Sequence, residues 1–131
     1  MQLETDLLQM EILNSAGIPE ALAMLDHTSN PRAILSKDDQ NYIQAGAYSN
    51  GFIVERRSGS EKSHMHARPH GRAPLQAPRV ERRWWKRLLM PTGELAPHKY
   101  AFTHQEMVAL FVAYFDDATD PDFMTWHEGY S

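Results

Sequence analysis

Tyr42-Ile43-Gln44-Ala45-Gly46-Ala47-Tyr48-Ser49-Asn50-Gly51-Phe52-Ile53-Val54-Glu55-Arg56-Arg57 is the stretch from which the fold is read. Apolar and polar side chains alternate on both sides of Asn50-Gly51, a dipeptide whose tolerance of positive φ makes it the preferred type I′ hairpin turn. With Asn50 and Gly51 as the loop, Ser49 faces Phe52, Ala47 faces Val54, Gly46 faces Glu55 and Gln44 faces Arg57. A second turn at Gly59-Ser60 adds a strand that sets Val54 opposite Met65, Glu55 opposite His64 and Ile53 opposite His66. Side chains alternate along a strand, so this register yields two distinct faces. Ile43, Ala45, Ala47, Phe52, Val54, Met65 and Ala67 form the side expected to be buried. Tyr42, Gln44, Tyr48, Ile53, Glu55, Arg57, His64 and His66 form a wetter side, where function is expected.

Upstream, Ala33-Ile34-Leu35 has the length and character of a strand, and the polar Lys37-Asp38-Asp39-Gln40 that of its turn. Leu3, Leu7 and Met10 recur at helical spacing, which predicts an amphipathic helix over 3–14. Pro19-Glu20 suits the first turn of a shorter helix over about 19–27. Downstream, three prolines between 69 and 78 predict a loop, and Trp84, Trp85, Leu88 and Leu89 share the face of a helix over 80–89. Thr103-His104-Gln105-Glu106 matches a capping box, opening a helix to about Phe115 whose apolar stripe covers the buried side of the sheet. Phe123, Met124 and Trp126 are expected to fold the tail back on the core. The fold class expected is α+β, an antiparallel sheet of three to five strands packed on one face by an N-terminal helix and a late helix. It forms a single domain over 1–131, with a basic insertion at about 71–100.

A chain of 131 residues, 42 % hydrophobic and 23 % charged, has an ordinary globular composition. It contains no cysteine, which excludes disulfides, thiol catalysis and thiolate-bound metal. With no signal-like N-terminus and no long apolar run, a cytoplasmic protein with no membrane contact is expected. The net charge of -4 hides an uneven distribution, since residues 1–55, 56–87 and 88–131 carry -6, +8 and -6.

Three kinds of chemistry can be read from these residues. On the wetter face, His64, His66 and Glu55 could converge as ligands of a divalent metal, or as a cross-strand acid–base set. The ordinary alternative is half-exposed sheet side chains, with Glu55 pairing to His64 or Arg57. In the basic stretch, Arg79, Arg82, Arg83 and Arg87 interleave with Trp84 and Trp85, a combination of charge and stacking surface that suits a protein partner, nucleic acid or a second copy of the chain. The flanking acidic regions favour docking against the chain's own acidic ends, or homo-oligomeric neutralisation, over nucleic acid, and the paired tryptophans shift the balance slightly toward a protein contact. Phosphate-cradling, dinucleotide and serine-nucleophile motifs are missing from the sequence, and no cofactor is expected.

The segment from Tyr42 to Tyr114 resembles the small bacterial immunity proteins of polymorphic and contact-dependent toxin systems. The likeness rests on the pair Tyr42-Ile43-Gln44-Ala45-Gly46 and Gly51-Phe52-Ile53-Val54-Glu55-Arg56-Arg57, the strand ending in Ala67, the late helix, and a tryptophan after it. Similar small α+β proteins are encoded on mobile gene cassettes. The resemblance implies a cytoplasmic protein that binds a toxin domain and blocks it stoichiometrically. It assigns structural or partner-facing roles to Phe52, Glu55, Arg57 and Trp126; the register itself adds Tyr48 to Glu55 and Arg57 as candidates on the wetter sheet face. The stretch from about Gly71 to Tyr100 has no counterpart in that pattern. A non-enzymatic protein-binding module is therefore expected, with a metal-dependent or acid–base enzyme and a nucleic-acid binder as alternatives.

Overall fold

Leu3 shows how the chain begins: it lies opposite Met10 in one direction and Leu35 in the other, and is fully buried. In the computed structural model, which describes residues 1–60, 63–71 and 100–128, Gln2–Thr5 (β1) and Gln9–Glu11 (β2) form an antiparallel hairpin. The helix expected over 3–14 does not form. Its turn is made locally by Thr5, whose Oγ1 accepts from the Leu7 and Leu8 N–H groups at 3.2 and 3.1 Å while its own N–H donates to the Leu8 carbonyl at 2.8 Å. Side-chain to backbone bonds of this kind compete with helix formation. Leu7 and Met10, which helical spacing would bury with Leu3, are 61 % and 39 % exposed.

The only helix near the N-terminus among the described residues is the short Gly17–Leu22 (α1), close to the second helix expected from Pro19-Glu20. It buries Ile18, Ala21 and Leu22. Arg32–Asp38 (β3), Asn41–Tyr48 (β4), Gly51–Ser58 (β5) and His64–Pro69 (β6) follow as an antiparallel meander. His104–Phe115 (α2) and Met124–Glu128 (β7) complete the described fold, β7 pairing antiparallel with β6. Among the described residues the sheet has seven strands, in the order β2-β1-β3-β4-β5-β6-β7, where three to five were expected. The additional strands are the ones without a legible alternation. Residues 2–11 shield the open edge of β3 and residues 124–128 that of β6, which supplies partners for backbone groups that would otherwise stand unpaired.

The register differs from expectation by two residues in both hairpins. Tyr48 faces Gly51, Ala45 faces Val54 and Gln44 faces Glu55, so the loop residues are Ser49 and Asn50. Asn50 does not take positive φ; Gly51 does, at 149°, so the type I′ geometry expected at this dipeptide is not the one formed. Beyond Gly59, at φ 86°, Glu55 faces His66, Arg56 faces Met65 and Arg57 faces His64. An even slip leaves every side chain on its own face. The buried side is therefore as expected, with Ile43, Ala45, Ala47, Phe52, Val54 and Ala67 all buried, although Met65 is only partly so.

α2 and α1 both pack on that side, where Met107, Leu110 and Phe111 meet Leu35, Ile43 and Val54 in one core. The capping box forms: Glu106 N–H donates to Thr103 Oγ1 at 3.1 Å and Thr103 N–H to Glu106 Oε1 at 2.9 Å. His104 Nε2 lies 3.0 Å from the Leu22 carbonyl oxygen and links the two helices. Before α2, Phe102 exchanges two 2.8 Å backbone bonds with Phe52, beside a part of β5 that β6 does not pair.

Candidate functional site

On the sheet face opposite the helices, β3 presents Arg32 and Ile34, β4 presents Gln44, Gly46 and Tyr48, and β5 presents Ile53, Glu55 and Arg57. Strand alternation alone puts these side chains together. Arg32, Ile34, Gln44, Gly46, Tyr48 and Glu55 line a cleft of about 440 Å³. Gly46 leaves the floor low between Arg32, directly across on β3, and Ile53, directly across on β5.

Glu55 also joins the cleft to a histidine-rich strip on β6 and β7. Its Oε2 lies 2.5 Å from His64 Nε2, a diagonal contact, since the residue directly opposite Glu55 is His66. The two side chains are 25 % and 38 % exposed, so solvent reaches the pair. The pairing of Glu55 with His64 is thus made, by a different register from the one expected. Arg57 faces His64 on one side and Tyr42 on the other and is half-buried.

His66 behaves differently. It is 1 % exposed, against the expectation of a wet face, because Tyr100 and Ala101 cover this part of the sheet and bury Ile53 as well. Its ring meets Tyr100 edge-on with centroids 5.1 Å apart, and Arg68 Nε–H donates to His66 Nε2 at 3.1 Å. An imidazole nitrogen that accepts from a guanidinium belongs to the neutral ring. Burial holds the His66 pKa below the ordinary imidazole value, and the positive charge of Arg68 and the neighbouring His127 push the same way. His127, directly opposite on β7, has its ring centroid 6.0 Å from that of His66 and its Nε2 2.7 Å from Thr125 Oγ1.

His64, His66 and Glu55 do not combine into a metal centre. Arg68 engages the His66 nitrogen, His64 engages the Glu55 carboxylate, and among the described residues no group of three or more potential ligands is placed to hold an ion. Arg79, Arg82, Arg83, Trp84, Trp85 and Arg87, with the helix expected over 80–89, lie outside the described residues. Tyr48 and Glu55 line the cleft, whereas Arg57 does not. Trp126 packs against the main core from the edge strand, with the Arg56 guanidinium 4.5 Å from its ring centroid.

Sequence reasoning missed Arg32, Arg68, Tyr100 and Thr125. The alternation of Arg32 with Ala33 could have placed the first on this face. The others depend on the β6–β7 pairing and on the passage of residues 100–102 beside β5, which no local pattern announces. No helix among the described residues is long and apolar enough to cross a membrane. No protein-family model matches the chain, and no curated protein or solved structure is found to resemble it.

Proposed function

We propose that this chain is a non-enzymatic protein-binding module of the cytoplasm, an immunity-type inhibitor that meets its partner with the helix-free face of β3–β5. The observation that supports this reading is the 440 Å³ cleft with Arg32, Tyr48 and Glu55 at its walls. Arginine and tyrosine are the side chains that most often dominate binding energy when a partner desolvates them. A sheet held from behind by two helices presents them on a rigid support, which lowers the ordering cost of association. Arg32 and Glu55 supply opposite charges that set the orientation of the partner.

A photo-crosslinking amino acid at position 48, introduced into the chain expressed in its source cell, tests the reading. One adduct of defined mass is expected from position 48, none from position 105 on the exposed side of α2, and loss of the adduct in Glu55→Lys. Equal adducts from both positions, or none from 48, overturn it.

One observation favours a second reading. The His64–Glu55 pair stands beside the cleft, as a general base and its orienting carboxylate would. Turnover of ester or phosphoester substrates by the wild-type chain and not by His64→Gln would favour this enzyme over the binding module.

A further inference from the structure

On the helix side of the sheet, the core-facing rows turn polar where α2 ends. Lys37 continues the row of Leu35 in β3, and Arg56 that of Val54 in β5. With Tyr114, Asp117 and Asp120 from the end of α2 and the loop after it, and Trp126 from β7, they line a cavity of about 160 Å³. Each cation rests on an aromatic ring: Lys37 Nζ is 5.1 Å from the Tyr114 centroid and the Arg56 guanidinium carbon 4.5 Å from that of Trp126. Among the described residues neither has a carboxylate within ion-pair distance. Arg56 Nε is buried and makes no hydrogen bond. Among the described residues the Arg56 Nη2–H donates only to the Met65 sulfur, a weak acceptor, at 3.9 Å.

The other wall is negative. Asp117 is held at φ 51°, and Asp120 Oδ1 accepts from Trp126 Nε1–H at 3.2 Å. The last turn of α2 contains no basic residue, so the negative end of its dipole adds to the same wall. The cavity thus separates two cations on the sheet from two carboxylates and a helix C-terminus. A simple anion would meet the carboxylates, and a simple cation would meet Lys37 and Arg56. A small zwitterion satisfies both walls.

We propose that this cavity binds a small free α-amino acid, its carboxylate on Lys37 and Arg56 and its ammonium toward Asp117 and Asp120. At about 160 Å³ the cavity is well below the roughly 300–1,000 Å³ of pockets for drug-sized ligands, which points to a ligand of few heavy atoms. The site lies on the opposite face from the proposed partner surface, and the two are tested separately.

The Trp126 indole N–H reports on the cavity through its bond to Asp120. In the ¹⁵N-labelled full chain its resonance is identified by its loss in Trp126→Phe. Glycine and L-alanine, titrated at constant ionic strength, are expected to shift it saturably, with acetate and methylammonium at least ten-fold weaker. Lys37 and Asp117 are exposed, so Lys37→Met and Asp117→Asn keep the fold, and each is expected to weaken binding at least ten-fold. Absence of a saturable shift with either amino acid, acetate binding as tightly as glycine, or both variants binding like the wild type overturns the proposal.

Discussion

Asn30 is 1 % exposed and ties three segments together. Its Oδ1 accepts from the Asp6 N–H at 3.1 Å, its Nδ2 donates to the Met24 carbonyl at 3.1 Å, and its own carbonyl accepts from the Asp26 N–H at 3.0 Å. Close by, hydrogen bonds to the Asp26 carboxylate, led by the Ser29 N–H and the Thr28 hydroxyl, hold it far below the ordinary carboxylate range and lock the turn before β3. Replacing Asn30 by Ala removes both side-chain bonds and leaves Asp6 N–H and Met24 C=O unsatisfied, so a loss of about 2 kcal/mol in urea denaturation is expected. His66 predicts a pH effect. Unfolded, it titrates near 6.5; folded, its pKa lies lower because of burial, then Arg68 and His127, with Glu55 opposing them. Between those two values the unfolded chain holds the extra proton, so stability rises with pH through that window and is lost on acidification below about 6.5. The urea midpoint of the wild type should therefore fall more between pH 7.5 and 5.5 than that of His66→Gln, which keeps an acceptor for Arg68 and cannot titrate there. The burial of Asn30 is not legible in the sequence, because its partners lie as far away as Asp6.

Elements differ in how much of their cause is local. α2 begins at a reciprocal cap between Thr103 and Glu106, four consecutive residues whose chemistry is complete in itself. Thr103→Ala is expected to cost about 1 kcal/mol, and Thr103→Ser little, in thermal or urea unfolding. The N-terminal hairpin is the contrary case. Leu3, Leu7 and Met10 have helical spacing, yet pairing with β3 buries Leu3 and leaves Leu7 exposed. A direct comparison follows. Leu3→Ala should lose about 3 kcal/mol, as a fully buried leucine does, whereas Leu7→Glu should stay within about 0.5 kcal/mol of wild type. In a helix over 3–14 both side chains would share the buried face and both substitutions would be costly, so equal losses would contradict the hairpin.

At the scale of the whole molecule, the sheet has its best-supported strands in the middle and its least-supported at the margins. β4 and β5 pair on both sides and bury a row against α2, while all three residues of β2 are exposed and β7 forms the other edge. Amide hydrogen exchange should accordingly be slowest in Ile43, Ala45 and Val54 and fastest in β2, with β7 next. A β2 protected as strongly as β5 would show that its edge is covered in solution. What the sequence by itself determined is what a few neighbouring residues can settle: which side of the β4–β5 hairpin is apolar, that a cap starts α2, and that Glu55 and His64 belong to one face. Alternation survives even a two-residue slip, which is why the faces were legible when the register was not. Only the tertiary structure decided that seven strands join, that β7 brings His127 against His66, that Tyr100 covers part of the polar face, and that Arg32 stands across the cleft from Glu55. Those outcomes come from edge backbone seeking partners and from apolar surface seeking cover, interactions between residues tens of positions apart that leave no periodic trace in the chain.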